Sequence, residues 1–188
     1  MLVKGYSDLL KTILIRAHQQ GIRLHVYITE TRPQCDGYLM YAELTKHKIN
    51  CTLVVDSSIG FILEEIDYII SGAEVVTENG GIINRLGTYS IALCAKALQK
   101  PFYVFAENFK FTRIFPLSQK DLPAEIVQNS NFDLCNNTWN LRIKAEDMNV
   151  VCPICDFTPG QLISFIITDA RIFKPSAVSD ELLQLFNL

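Results

Sequence analysis

Residues 67–107 read DYIISGAEVVTENGGIINRLGTYSIALCAKALQKPFYVFAE. They contain an apolar run over 67–77, a pair of glycines, a helical pattern over 88–99 that ends before Pro101, and another apolar run over 102–107. Strands buried on both faces give apolar runs of this kind, and a helix between two of them is typical of parallel strands joined by a crossover. The stretch therefore predicts a strand–helix–strand unit of a parallel sheet.

The same alternation continues towards the N-terminus. Helices are predicted at 7–20, 38–48 and 59–66, and strands at 23–29 and 51–56. The helices carry apolar residues at helical spacing, and Gly21 marks the end of the first one. Together with residues 67–107, this pattern predicts an α/β fold: a Rossmann-like, mostly parallel sheet with helices on both faces.

The C-terminal third has a different pattern. Residues 119–140 are polar and Asn-rich and are predicted to form a long connection. Thr158 as an N-cap and Pro159 at the first helical position predict a helix over 158–169, and a last helix is predicted after Pro175. One domain is therefore expected to span residues 1–188.

Composition excludes several classes of function. The chain has 188 residues, of which 20% are charged, and its net charge is −3. No clustered basic face is evident, so neither nucleic acid nor an anionic membrane is an expected partner. The apolar runs are shorter than a bilayer span, and the first residues lack the apolar segment of a signal peptide. A soluble, cytoplasmic protein is expected.

The six cysteines do not indicate a metal site. Cys152 and Cys155 have C-x-x-C spacing, but no second cysteine pair or histidine pair accompanies them at the distance that zinc requires. No metal and no cofactor are expected.

The glycine pair suggests an anion-binding loop. Backbone N–H groups at a strand end, followed by a helix N-terminus, favour phosphate, and amide and guanidinium groups add hydrogen bonds to it. The candidate residues for a phosphate or sugar phosphate are Arg32, Asn79, Gly80, Gly81, Asn84 and Arg85. The alternative is a hairpin turn, because Asn-Gly between apolar runs is the commonest tight-turn signal, and the pattern alone favours this alternative.

Several longer blocks carry a family resemblance. ITETRPQCDG, SGAEVVTENGGIINRLGTYSIALCAKALQKPFYVFAENFKFTRIFPL and KPSAVSDELLQLF resemble the family of initiation factor 2B subunits and sugar-phosphate isomerases, more specifically its alpha-type subunits. The resemblance runs from about Leu2 to the last residue. It implies that this chain is the C-terminal Rossmann-like domain, without the helical domain that precedes it in the family.

The resemblance also bears on catalysis. The isomerases of the family use a cysteine and an aspartate to move a proton between neighbouring sugar carbons. The matching positions here hold Gly5 and Glu74, so no catalytic residues are expected. On the binding side, Asn84 is retained and Arg85 keeps the charge of the family's lysine.

The implied function is that of a regulatory, non-catalytic subunit of the exchange factor for initiation factor 2. It would form a homodimer, bind the other subunits of initiation factor 2B and help to sense phosphorylated initiation factor 2. Aromatic and basic residues are enriched at interfaces, which makes Phe109, Phe111, Arg113 and Phe115 the candidate contact residues.

Two alternatives stay open. An active isomerase of ribose or methylthioribose phosphates would need another thiol, for which Cys35 is the candidate. A free-standing metabolite-binding module is the second alternative.

Overall fold

The computed structural model describes residues 1–124 and 151–185. The α-helices are α1 (Asp8–Gln19), α2 (Gly37–Lys46), α3 (Ile59–Ile62), α4 (Thr88–Ala97) and α5 (Val178–Leu185). The strands are β1 (Leu2–Val3), β2 (His25–Thr29), β3 (Asn50–Val54), β4 (Ile69–Gly72), β5 (Val75–Thr77), β6 (Ile82–Arg85), β7 (Phe102–Phe105), β8 (Phe111–Thr112), β9 (Cys155–Thr158), β10 (Phe165–Ile167) and β11 (Ile172–Phe173).

The main sheet is doubly wound. Among the described residues it has seven strands in the order β11-β10-β7-β4-β1-β2-β3, parallel throughout except for β11. The chain first builds outward from β1 through β2 to β3, and then returns to the other side of β1 with β4. This reversal places a topological switch point between β1 and β4. The predicted α/β, Rossmann-like fold is confirmed.

Helices cover both faces of this sheet, as predicted. On one face α1 and α2 pack their leucines and Met40 against Val3, Val26 and Ile28. On the other face α3, α4 and α5 pack against residues that include Leu2 and Ile69. Neighbouring strand residues belong to opposite clusters because side chains alternate across a strand. This alternation buries both faces and explains the continuous apolar runs.

A second sheet lies beside the first. It has the order β8-β5-β6-β9, with β5 and β6 joined as an antiparallel hairpin. The sequence pattern did not predict this sheet. The apolar run over 67–77 is two strands rather than one, because β4 ends at Gly72 and β5 then enters the second sheet.

The helix predicted over 158–169 is wrong. Thr158 ends β9, where it pairs with Ile82, and Pro159 has the extended angles φ −62° and ψ 145°. A single 3₁₀ turn follows, and residues 165–167 form β10 beside β7. Pairing with neighbouring strands overrides the local capping signal here. The last helix, by contrast, is confirmed as α5.

Some predictions fall outside the described residues. The structure does not describe residues 125–140 of the predicted connection, which include Cys135. Residues 119–121, at the start of that connection, form a 3₁₀ turn. Within the described ranges, no helix has the length and apolar character needed to cross a bilayer.

Candidate functional site

The switch point carries a cavity of about 340 Å³ at the carboxyl ends of β1, β4 and β7. We call it the switch-point cavity. Its lining includes Lys4, Gly5, Asp36, Glu74, Asn84, Arg85, Glu107, Phe109 and Lys110. A second space of about 410 Å³, the adjacent cavity, shares Lys4 and is lined also by Arg32, Asp56, Ile59, Leu86, Ile91 and Cys94. Ligands of open α/β sheets bind at this position.

Lys4, which directly follows β1, is the most buried cation of the site, with 5% of its surface exposed. Within residues 1–124 and 151–185, its ammonium has no hydrogen bond and no ion pair within 4.0 Å. Burial lowers the pKa of Lys4, and the charges of Asp36, Asp56 and Asp156 partly offset that effect. Sequence reasoning missed this residue because a strand of two residues leaves no periodic signal.

Arg85 and Asn84 reach the switch-point cavity from the end of β6. The Arg85 guanidinium is 44% exposed, and its Nε lies 3.7 Å from Glu74 Oε1. Asn84 is buried, and its amide donates to Ser71 Oγ at 3.0 Å and to Thr88 Oγ1 at 3.1 Å. These two donations fix the orientation of the Asn84 side chain.

Arg32 lies on the other side of Lys4, in the lining of the adjacent cavity. Its Nε is 3.2 Å from Glu30 Oε2, and its backbone N–H donates to Asp56 Oδ2. Arg32 and Arg85 therefore belong to different cavities that meet at Lys4.

The glycine pair lies elsewhere. Gly80 and Gly81 are in the hairpin turn between β5 and β6, which is the alternative that the sequence pattern favoured, and β6 separates them from the N-terminus of α4. Gly80 donates its N–H to Thr77 O at 2.9 Å, and Gly81 donates to Asn79 Oδ1 at 3.4 Å. Both N–H groups are thus engaged within the turn. None of residues 79–81 lines either cavity at the sheet edge.

Close packing explains why glycines occupy this turn. A Cβ on Gly80 would lie 2.0 Å from Pro175 O, and one on Gly81 would lie 2.5 Å from the Phe157 ring. Gly80 also has φ +75°, which residues with a side chain rarely adopt. The Asn79 amide donates to Pro116 O at 2.6 Å and ties the turn to the segment after β8.

The N-terminus of α4 already holds an anion. The buried carboxylate of Asp156, in β9, accepts the N–H groups of Gly87 at 2.6 Å and Tyr89 at 3.0 Å. Burial raises the pKa of Asp156 to about 6, against the opposing effect of these hydrogen bonds. The sequence predicts that the partial positive charge at this helix N-terminus attracts a phosphate. In the structure, the Asp156 carboxylate of the chain itself interacts with that charge.

The position of Gly5 leaves no room for a side chain. Gly5 has φ +56°, and a Cβ there would lie 2.7 Å from Asp36 Oδ1 and 2.7 Å from Thr31 Cγ2. Cys35, the alternative thiol, lines neither cavity, and its Sγ donates to Pro33 O. Glu74 does line the switch-point cavity, where it contacts Arg85.

The aromatic candidates for an interface separate into two groups. Phe109 and Phe115 are 80% and 62% exposed, and Arg113 is also exposed. Phe111 is buried in β8, where its ring meets the edge of Phe173. Phe111 is therefore a core residue, and its prediction as a surface contact is wrong because the pairing of β8 with β5 turns it inward.

A doubly wound α/β domain with this strand order belongs to the class of Rossmann-like domains. The initiation factor 2 subunit family matches residues 1–175, and the chain belongs to that family. The resemblance seen in the sequence is thereby confirmed.

The most similar relatives include two initiation factor subunits and an enzyme. Translation initiation factor eIF2B subunit alpha of Dictyostelium discoideum is 40% identical over 99% of this chain, and that of Caenorhabditis elegans is 37% identical over 99%. The crystal structure of 5-methylthioribose 1-phosphate isomerase from Pyrococcus horikoshii OT3 matches 99% of this chain with a TM-score of 0.82 and 26% identity. The chain spans 58% of each eIF2B relative and 54% of the isomerase.

Proposed function

We propose that the chain is the Rossmann-like part of a regulatory, non-catalytic alpha subunit of initiation factor 2B, the guanine-nucleotide exchange factor for initiation factor 2. The similarity to two eIF2B alpha subunits over 99% of the chain supports the assignment. The subunit would work in the cytoplasm, bind the other subunits of the factor and help it to sense phosphorylated initiation factor 2.

The absence of isomerase chemistry rests on Gly5. A proton-transfer group has to lie within hydrogen-bond reach of the carbon-bound proton that it moves. Gly5 has no side chain, and Asp36 and Thr31 occupy the space that a thiol would need. Glu74 is longer than the aspartate of the isomerases by one methylene and is already near Arg85. These features support a site that binds a ligand without catalysing its isomerisation.

The ligand we propose for this site is a sugar phosphate. Arg85 supplies a cation at the switch-point cavity, whose volume of about 340 Å³ suits a small phosphorylated sugar. Both N–H groups of the Asn84 amide are donated to Ser71 and Thr88, so Asn84 offers its Oδ1 to a sugar hydroxyl and not a donor to the phosphate.

The β5–β6 hairpin carries Asn84 and Arg85, and its turn is formed by Asn79, Gly80 and Gly81. In this proposal the turn residues position Asn84 and Arg85 and do not contact the ligand. Arg32 borders the site from the adjacent cavity.

The homodimer we propose uses the exposed aromatic residues after β7. Phe109, Phe115 and Leu117 are largely exposed, and exposed apolar groups of this kind mark partner surfaces. A two-fold dimer covers such a surface with one patch on both subunits. Arg113, which is also exposed, lies in the same segment, between Phe109 and Phe115.

Light scattering on the wild type and on two variants tests assembly. Light scattering on the purified chain is expected to give the mass of two chains, and Phe115→Asp is expected to give one. Phe61→Asp is the matched control, because Phe61 is 84% exposed but lies on α3. A single-chain mass for the wild type would contradict the dimer.

Co-purification with the other subunits of initiation factor 2B tests the assignment itself. The chain is expected to enter the complex and to change its nucleotide exchange on initiation factor 2 when the latter is phosphorylated. A chain that neither enters the complex nor alters exchange would sink the assignment.

The second candidate is an active sugar-phosphate isomerase, which the TM-score of 0.82 to such an enzyme favours. Turnover lost on Cys35→Ser would support it.

A further inference from the structure

Lys4 differs from the other cations of the switch-point cavity. Arg85 is half-exposed and lies near Glu74, and Lys110 Nζ is 3.0 Å from Glu107 Oε2. Lys4 as a residue is 95% buried, and the described residues give its ammonium no partner within 4.0 Å. Its Nζ is not fully buried, because it borders the two cavities. A largely buried charge without a protein partner is unfavourable for folding, and an anion bound in the cavity would offset that cost.

The carboxylates around Lys4 are committed to other groups. Asp36 Oδ1 accepts the N–H of Tyr6 at 3.3 Å and the hydroxyl of Thr31. Asp56 accepts the N–H groups of Thr31 and Arg32 at 3.0 and 2.6 Å.

Asp156, the third carboxylate near Lys4, caps α4. All three influence Lys4 through their charge, and all three have hydrogen bonds elsewhere. The direct contact that the Lys4 ammonium lacks is therefore left for a ligand.

We propose that Lys4 is the anion anchor of this site and joins the two cavities into one, which binds a sugar monophosphate with its phosphate on Lys4. The proposal deepens the sugar-phosphate site proposed above and rests on it. It adds a residue that no motif identified, and it limits the ligand to one phosphate group.

Charge balance within the site sets that limit. Arg85 and Lys110, the other cations lining the switch-point cavity in the described ranges, each have a carboxylate within 4.0 Å. Asp8 and Asp36 add further negative charge to the same lining. A second phosphate would therefore meet carboxylates, whereas sugar hydroxyl groups can donate to them.

The adjacent cavity offers the remaining contacts. Ile59, Leu86 and Ile91 form an apolar wall on the far side of Lys4. A substituent of low polarity on the sugar can lie there, while the phosphate stays at Lys4 between the two spaces.

The test compares Lys4→Met with Lys46→Met by calorimetric titration, using ribose 5-phosphate, ribose and ribose 1,5-bisphosphate as probes. Lys46 is the matched control, because it is a lysine paired with Glu43 that lines neither cavity. Loss of a charged hydrogen bond in a buried site weakens binding by about ten-fold or more, which is the effect expected for Lys4→Met. Lys46→Met is expected to stay within about three-fold of the wild type.

Stability separates a binding role from a structural one. A lysine kept for a ligand carries an unpaired buried charge, so Lys4→Met should unfold at a higher urea concentration than the wild type. A lower midpoint, or a variant that does not fold, would show that Lys4 supports the structure and would overturn the proposal.

The probes give the remaining outcomes. The wild type should bind ribose 5-phosphate, should not bind ribose, and should bind the bisphosphate no more tightly than the monophosphate. Equal affinity of the wild type and Lys4→Met for ribose 5-phosphate, much tighter binding of the bisphosphate, or no binding of any probe would each overturn the proposal. Assembly with the other initiation factor 2B subunits does not depend on Lys4, so co-purification judges the assignment separately.

Discussion

Asp156→Asn should change how the stability of the chain depends on pH. The Asp156 carboxylate is buried at the N-terminus of α4, where burial raises its pKa from 3.8 to about 6. The folded chain therefore holds the proton of Asp156 more tightly than the unfolded chain does. Between about pH 4 and pH 6 the free energy of unfolding falls as pH rises, because the folded state then has to give up a proton that it prefers to keep.

The size of the effect follows from the two pKa values. A difference of roughly two units, at about 1.36 kcal/mol per unit, corresponds to about 3 kcal/mol of stability lost across this window. Asparagine keeps the shape of the side chain and does not titrate. The wild type should therefore lose about 3 kcal/mol relative to Asp156→Asn between pH 4 and pH 7.

Urea unfolding of both proteins at half-unit steps of pH and constant ionic strength measures this difference. Asp121→Asn is the control of opposite sign, because hydrogen bonds from the Leu117 and Ser118 N–H groups lower the pKa of Asp121. Relative to that control variant, the wild type should gain stability as pH rises. A wild-type minus Asp156→Asn difference that is flat, or that grows with pH, would refute the reasoning from burial.

Three further outcomes are expected. Gly80→Ala should cost more than about 3 kcal/mol, because its Cβ would meet Pro175 O and its φ is +75°, whereas Gly60→Ala, with open space around it, should change the urea midpoint little or raise it. Phe111→Ala should cost about 3–5 kcal/mol and Phe61→Ala, which lies outside the proposed interface, less than about 0.5 kcal/mol in the same assay, and equal costs would contradict the separation of core from surface. Arg85→Ala should weaken binding of ribose 5-phosphate by about three- to ten-fold in calorimetry, less than Lys4→Met, because the guanidinium is half-exposed and close to Glu74; an unchanged affinity would remove Arg85 from the site.

Four strands of the main sheet, β2, β3, β4 and β7, could be predicted because each lies in an apolar run that alternates with a helical pattern, as residues 102–105 do. The short strands β1 and β11 gave no such run, and β10 lies in the stretch predicted as a helix over 158–169. The second sheet gave no such signal. Its strands are short, and residues 155–158 form β9 through pairing with β6, which the local sequence does not encode.

The candidate site was predicted in part, for physical reasons. Asn84 and Arg85 could be identified as candidates because they are polar residues near the end of a predicted strand. The structure places both at the switch-point cavity. Gly80 was a candidate for anion binding but lies in a hairpin turn. The sequence could not separate the two because asparagine and glycine are typical of both. Lys4 was missed because burial and the lack of a partner are tertiary properties, which one lysine after Leu2 and Val3 cannot reveal.

The central claim is that the site binds a sugar phosphate without reacting on it. Phosphorus NMR of methylthioribose 1-phosphate with increasing amounts of the chain tests both halves of this claim in one experiment. We expect the phosphate resonance to shift or broaden with added protein, and no ketose phosphate resonance to form over hours. A product resonance that grows in proportion to the protein concentration would contradict the absence of chemistry, and an unchanged spectrum would contradict binding.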